Sequence, residues 1–272
     1  MGHDHGEALS DPAPIGPVRA PTRWLAPDPG GLWEVAEVVG VEPETAEATT
    51  LRLALPETPD LLPGQYYLVR LATPAHAGAV QQAFSVSSSP YPPSPTVDIT
   101  VREVSGGRVS PHLAREVRVG DQLHVYGPYG FLTWTEDDGG PLMLIGAGSG
   151  VAPLVSIVRY AAARGASMPM VLLCSSRDRS RVLFRAALEG LERQAPWLSV
   201  VHTFTRSPKD GFARYHRRVD APMINEIAHT AALGPDDMSY LVAGPAAMVG
   251  AVREALSSVG VPDARVSSEN HA

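Results

Sequence analysis

Residues 142–153 read LMLIGAGSGVAP, and this stretch decides the fold. Its four leading apolar residues are typical of a strand that is covered on both faces. Gly146, Gly148 and Gly150 let the backbone turn sharply and approach an anion closely. Pro153 favours the first turn of a helix whose free N–H groups point at the same place. The stretch therefore predicts a phosphate-binding turn for a dinucleotide, with a plain strand-to-helix turn as the alternative.

The chain that follows this stretch alternates apolar runs with longer helical segments. We predict strands at 141–146, 169–174, 198–204 and 239–243, separated by helices at 153–164, 180–193, 221–231 and 245–258. Strands that alternate with helices indicate a parallel sheet with helices on both faces. Residues 139–272 are thus predicted to form an α/β, doubly wound parallel-sheet domain.

The chain that precedes it carries short β-type runs separated by glycine and proline turns, at 33–41, 49–55, 65–71, 84–88, 97–104 and 122–126. Strands at this spacing predict a small antiparallel barrel over residues 32–138. One helix is expected inside it, from Ser110 as N-cap to about Val117. Residues 1–31 hold six prolines without a period, which predicts a flexible or extended tail.

Composition limits the functions that the chain can have. A length of 272 residues with 44% hydrophobic content suits two domains. The single cysteine, Cys174, excludes an internal disulfide, a cysteine-ligated zinc site and an iron–sulfur cluster with four thiolates. No metal site is expected, because His3 and His5 on the tail lack preorganisation.

The charge pattern and the hydropathy pattern limit the partners. The net charge of −7 argues against nucleic-acid binding, which normally needs a concentrated basic face. No apolar run approaches the roughly 20 residues that cross a bilayer, and no secretory signal is visible at the start. We therefore expect a cytoplasmic protein that binds neither nucleic acid nor membrane.

Four motifs stand in a fixed order: residues 84–88, residues 107–110, residues 146–153, and Ala243-Gly244-Pro245 followed by Glu269. Together they resemble the ferredoxin–NADP reductase superfamily over about residues 32–271. The resemblance implies a Greek-key β-barrel that binds flavin, FAD in preference to FMN, followed by an NAD(P)-binding domain. It also implies that electrons pass from NAD(P)H through the flavin to a separate one-electron acceptor, such as a ferredoxin or a cytochrome P450 or oxygenase partner.

The resemblance assigns the flavin contacts to the first two motifs. The aromatic ring of Phe84 would lie against the isoalloxazine, and the Ser85 hydroxyl can form a hydrogen bond near N5, the flavin atom that accepts hydride. The second motif would direct N–H groups and a hydroxyl at the flavin pyrophosphate. An ordinary barrel strand and a simple helix cap are the alternatives. The candidate flavin residues are Phe84, Ser85, Val86, Ser87, Gly107, Arg108, Val109 and Ser110.

The resemblance places the nicotinamide dinucleotide on the second domain. Thr205-Arg206 and Arg214-Tyr215 would hold the 2′-phosphate and the adenine, which favours NADPH over NADH, and solvated surface arginines are the alternative. The candidate nucleotide residues are Gly146, Gly148, Gly150, Pro153, Thr205, Arg206, Arg214, Tyr215, Gly244 and Pro245.

The resemblance also implies a catalytic pair, Ser85 and Glu269, which orients the nicotinamide and relays the flavin proton. His271 stands two residues after Glu269, where relatives place an aromatic residue on the flavin face. A chain end without function is the alternative for this segment.

Three positions depart from the family pattern. Gln82 replaces an arginine that contacts the flavin phosphate, which weakens flavin binding unless Arg70, Arg102 or Arg108 compensates. Ala243 replaces a cysteine near the nicotinamide, and His271 replaces the aromatic residue. These departures leave two alternatives open: a redox-inactive regulatory or assembly protein on the same fold, and a flavin reductase that releases free reduced flavin.

Overall fold

The computed structural model describes residues 25, 30–72, 79–207, 210–230 and 238–271. The predicted proline-rich tail, with His3 and His5, lies outside these residues except at positions 25, 30 and 31. Within the described part of the chain, no helix is long and apolar enough to cross a membrane.

The first sheet is antiparallel and has six strands: β1 (Glu34–Thr45), β2 (Ala48–Ala54), β3 (Tyr66–Ala72), β4 (Ala79–Ser85), β5 (Thr96–Arg102) and β6 (Gln122–Tyr129), with helix α1 (Ser110–Arg115) between β5 and β6. The strand order in the sheet is β4-β3-β6-β1-β2-β5. A bridge between Val86 and Ile99 joins its two ends into a barrel, as predicted. Along β3 the side chains of Tyr67, Val69 and Leu71 point into the core, because successive residues of a strand face opposite sides.

The start of α1 differs from the sequence prediction. The helix begins at Ser110, its N-cap is Val109, and no side chain caps it. The Ser110 hydroxyl instead accepts a hydrogen bond from the backbone N–H of Val104, 3.1 Å away, inside the preceding turn. The prediction of a serine N-cap was therefore wrong, because the buried hydroxyl holds the turn together.

The second domain contains β7 (Leu142–Ala147), α2 (Val151–Arg164), β8 (Met170–Ser176), α3 (Arg185–Gln194), β9 (Leu198–Phe204), α4 (Ala221–Thr230), β10 (Ser239–Pro245), α5 (Ala246–Ser258) and β11 (Val266–His271). Its sheet is parallel, has the strand order β11-β10-β7-β8-β9, and confirms the doubly wound prediction. Helices α2 and α3 pack on one face, and α4 and α5 pack on the other. Every residue of β7 is buried, as expected for a strand with helices on both sides.

The strand order reverses direction at the pair β7 and β10, which lie side by side in the middle of the sheet. In open α/β sheets ligands bind at such a switch point, beyond the carboxyl ends of the strands. The glycine turn follows β7 and the residues Gly244 and Pro245 end β10. The sequence motifs for phosphate binding thus meet at one place in the fold.

Three of the hydrogen bonds between the two domains run from a side chain to the main chain. The Ser156 hydroxyl donates to the carbonyl of Ser88 at 2.7 Å, and the Arg159 guanidinium donates to the carbonyl of Ser87 at 2.7 Å. In the other direction, the Glu44 carboxylate of the barrel accepts from the N–H of Phe184 at 3.0 Å. These contacts fix the groove between the domains.

Candidate functional site

A cleft of about 760 Å³ lies where the edge strands β4 and β5 of the barrel face β11 of the second domain. Phe84 and Ser85 line one wall, and Glu269 and His271 line the opposite wall. The structure therefore brings the predicted catalytic pair to one cavity, whose size is in the usual range for a small-molecule site.

The Glu269 carboxylate and the His271 imidazole form a pair on that wall. Nε2 of His271 lies 2.8 Å from Oε1 of Glu269, so the imidazole orients the carboxylate. An imidazole has ring nitrogens that form hydrogen bonds, which a phenyl ring lacks. His271 thus gives the carboxylate a hydrogen-bonding neighbour on the wall of the cleft.

Aromatic side chains extend from this cleft over the outer face of the barrel. Tyr66 pairs with Ser85 across β3 and β4, and its ring lies 6.2 Å from that of Tyr129. Tyr126 follows at 5.2 Å from Tyr129, and its hydroxyl raises the pKa of Tyr129 to about 12. The three rings thus supply flat aromatic surfaces beside the cleft.

Phe131 lies at the mouth of the same cleft, with 98% of its surface exposed. Exposure of an apolar ring to water is unfavourable, and a planar ring bound against Phe131 would remove part of its surface from water. The first cleft thus offers aromatic surfaces, hydroxyl groups and a guanidinium, a set that fits the ring and the phosphates of FAD.

A second cleft of about 340 Å³ lies at the carboxyl ends of β7, β8 and β10. Of the predicted nucleotide residues, Gly148, Thr205 and Pro245 line it. Three arginines that the sequence prediction did not choose, Arg177, Arg181 and Arg218, line it as well. This cleft has the cations and the glycine turn that dinucleotide phosphates need.

The glycines of the turn have different roles in the structure. Gly148 has a φ of +56°, the left-handed region that glycine adopts at little cost. Gly150 is buried against β10, and a Cβ built on it would lie 2.3 Å from the carbonyl oxygen of Ala243. Gly146 packs in the same way against Val151 and Leu154 of α2. Gly148 thus shapes the turn, while Gly146 and Gly150 allow close packing.

Arg214 and Tyr215 do not line the second cleft. The Arg214 guanidinium forms an ion pair with Glu226 at 3.1 Å. The Tyr215 ring is 6% exposed and lies under the guanidinium groups of Arg214 and Arg217, 5.4 and 5.1 Å from its centroid. Arg206 is exposed outside the cleft. Of these four predicted residues, Thr205 lines the cleft and the other three do not.

The remaining predicted residues do not line either cleft. Val86 and Val109 are buried in the barrel core, and the Ser87 hydroxyl is hydrogen-bonded to Thr100 at 2.9 Å. None of the following residues lines either cleft: Val86, Ser87, Gly107, Arg108, Val109, Ser110, Gly146, Gly150, Pro153 and Gly244.

One residue that the prediction named only as a possible compensator, Arg102, lines both clefts. The sequence position of two missed residues could have indicated them, because Arg177 directly follows the carboxyl end of β8 and Phe131 follows Gly130 just after β6. Neither signal tells which way a side chain points.

Comparison with known proteins agrees with this architecture. Residues 36–134 match the family model of the oxidoreductase FAD-binding domain, and residues 144–254 match that of the oxidoreductase NAD-binding domain. The chain is 30% identical over 267 residues to a flavohemoprotein of Bordetella pertussis, a match that covers 94% of this chain and 65% of that protein.

Two further relatives point the same way. The ferredoxin reductase component of 3-ketosteroid-9-alpha-monooxygenase from Rhodococcus rhodochrous is 30% identical over 240 residues, which is 86% of this chain and 64% of that protein. The crystal structure of the cytochrome P450 reductase GcoB of Amycolatopsis superposes with a TM-score of 0.76 at 26% identity, over 88% of this chain and 69% of that one. The chain spans about two-thirds of the length of these relatives. It belongs to the ferredoxin reductase family, with an FAD-binding oxidoreductase domain followed by an NAD-binding oxidoreductase domain.

Proposed function

We propose that this chain is an NAD(P)H-dependent flavoprotein reductase that passes electrons one at a time to a separate acceptor protein. The observation that carries the proposal is the junction of the two clefts at the glycine turn. Gly148 lines the nucleotide cleft and its neighbour Ser149 lines the flavin cleft. A nicotinamide that extends along the turn therefore reaches the wall that carries Glu269, and close approach of the two reacting atoms is what hydride transfer needs.

Four residues of the flavin cleft, Phe84, Ser85, Glu269 and His271, have a role in this scheme. Phe84 and Ser85 would hold the ring of a bound FAD, which would supply the chemistry for taking up a hydride from NAD(P)H and releasing two electrons singly. Per NAD(P)H, two acceptor molecules are reduced and one proton is left over. Ser85 orients the reacting ring, and the pair of Glu269 and His271 carries the proton from the cleft to solvent.

The acceptor is proposed to be a separate ferredoxin-like protein or a cytochrome P450 or oxygenase component. Two of the relatives are named as reductases of such systems, a ferredoxin reductase component of a monooxygenase and a cytochrome P450 reductase. The sequence contains one cysteine, Cys174, which is buried, so these residues do not supply a four-thiolate cluster of their own.

The nucleotide is proposed to be NADPH in preference to NADH. Arg177, Arg218 and the Thr205 hydroxyl line the second cleft and suit a 2′-phosphate. Arg181 is less available for this role, because it is already paired with Glu47 at 2.8 Å and with Asp178 at 2.7 Å. The proposed 2′-phosphate contacts thus keep Thr205 from the sequence prediction and replace Arg206 and Arg214 with Arg177 and Arg218.

An absorbance spectrum of the purified protein, recorded without oxygen before and after addition of NADPH or NADH, tests the proposal. We expect a flavin band that bleaches with NADPH at lower concentration than with NADH. A protein that stays colourless after incubation with FAD would support the redox-inactive alternative. Turnover that depends on added free flavin would support the alternative in which the reduced flavin is released.

A further inference from the structure

The flavin cleft has one permanent cation among the described residues that line it, and that cation is Arg102. A flavin phosphate carries negative charge and is held most strongly by a charged donor. The family position for that donor is occupied by Gln82, which lines the same cleft and is neutral. The sequence alone does not show whether Arg70, Arg102 or Arg108 compensates for the missing charge at position 82.

Gln82 and Arg102 stand on the two edge strands of the barrel. Gln82 is on β4 and Arg102 is on β5, the first and last strands of the six-stranded order. The bridge between Val86 and Ile99 joins these strands beyond the cleft, so both side chains border the same opening. The Arg102 guanidinium on β5 can therefore bind a phosphate that a side chain at position 82 on β4 would otherwise bind.

The two other candidate arginines lie elsewhere. Arg70 is on β3, on the outer face of the barrel, and pairs with Gln81 of β4 and His124 of β6. Its guanidinium lies over the ring of Trp33, 5.2 Å from the ring centroid. Arg108 is exposed and does not line the cleft. The structure thus separates three arginines that the sequence could not distinguish.

The position of Arg102 is set from the second domain as well. A Cβ built on Gly148 would lie 3.5 Å from Nε of Arg102, so the guanidinium packs against the glycine turn. We propose that Arg102 binds a phosphate group of FAD and replaces the arginine that is missing at position 82. This inference rests on the proposed function, since it assumes that FAD occupies the first cleft.

Titration of flavin into the flavin-free protein tests the inference without any turnover. We expect Arg102→Gln to weaken FAD and FMN roughly tenfold to a hundredfold, the range of one charge-assisted contact. Binding of riboflavin, which has no phosphate, stays unchanged. The dependence of FAD affinity on salt also becomes less steep, which a merely structural role would not produce.

Two further variants sharpen the test. In the Arg102→Gln background, the second change Gln82→Arg restores FAD affinity, because it returns a cation to the same opening. Arg70→Ala, which removes a barrel arginine outside the cleft, leaves FAD affinity as it is.

Equal FAD affinity in the wild type and in Arg102→Gln overturns the inference, as does an equal loss of riboflavin binding. If the wild type does not bind FAD at all, the proposed function fails together with it, so the two failures are distinguishable.

Discussion

Substitution of Gly150 by alanine tests whether the glycine turn and β10 have to touch. The added Cβ would lie 2.3 Å from the carbonyl oxygen of Ala243, 2.4 Å from its carbonyl carbon and 2.5 Å from the nitrogen of Gly244. All three atoms belong to the backbone of β10, which is held on both sides by β7 and β11. The strand cannot yield as a flexible side chain would, so the turn has to move away.

The expected cost follows from this geometry. Overpacking of a well-packed interior costs about 1–3 kcal/mol, and each kcal/mol lowers the melting temperature by about 2–4 °C for a domain of this size. We therefore expect Gly150→Ala to lower Tm by roughly 2–12 °C, on the same two principles. Because the displaced turn also lines the nucleotide cleft, the dissociation constant for NADP⁺ is expected to rise.

Circular dichroism melting and calorimetric titration with NADP⁺ measure both effects. Gly250→Ala is the matched control, because Gly250 lies in α5 and an added Cβ meets no atom within 4 Å. This control gains helix propensity, so it is expected to be stabilised by about 0.5–1 kcal/mol. A Gly150→Ala protein with wild-type Tm and wild-type NADP⁺ affinity would refute the argument.

Three other perturbations test separate parts of the structure. Burial lowers the pKa of His202 to about 4, so the unfolded chain binds more protons than the folded chain between about pH 6.5 and pH 4. The free energy of unfolding therefore falls as pH drops through that window, by at most about 3 kcal/mol. Urea unfolding at pH 7 and pH 4.5 measures this fall, and His202→Gln should make it smaller. Arg218→Ala should weaken NADPH roughly tenfold or more and leave NADH unchanged, and an equal loss for both nucleotides contradicts the proposed 2′-phosphate contact. His271→Phe should bind FAD normally yet slow electron transfer to an acceptor and change its pH profile, and stopped-flow traces that match the wild type at every pH would count against the proton path.

The sequence predicted the order and type of most elements because their side-chain periods are strong. The buried runs of β7 and β8 and the alternation of β3 are set by which faces the fold covers, and these patterns are visible in the letters. β11 was not predicted. Its residues 266–271 are polar and half exposed, and it is a strand because the edge of β10 offers unpaired backbone groups.

The site was harder to predict than the fold. Ser85 and Glu269 were named from motifs, and the structure places both in one cleft. The arginines that line the nucleotide cleft could not be distinguished from other surface arginines, because a sequence does not show which way a long side chain points. Arg214 pairs with Glu226, whereas Arg177 and Arg218 line the nucleotide cleft. The Ser110 hydroxyl was misassigned because a serine at the start of a helix can bond either to the helix or to the turn that precedes it.

The joint between the domains has a consequence for how such proteins diversify. Ser156, Arg159 and Glu44 all bond to main-chain groups of the opposite domain. A carbonyl or an N–H is present whatever side chain occupies the position, so the receiving segment is free to drift in sequence while the joint persists. A gene fusion that exchanges one domain for that of a relative has to keep these donors and acceptors together with side-chain pairs such as Arg181 and Glu47, and it then inherits the groove that Ser85 and Glu269 line. Recombination of whole domains is thus a short evolutionary route to a reductase with a new acceptor.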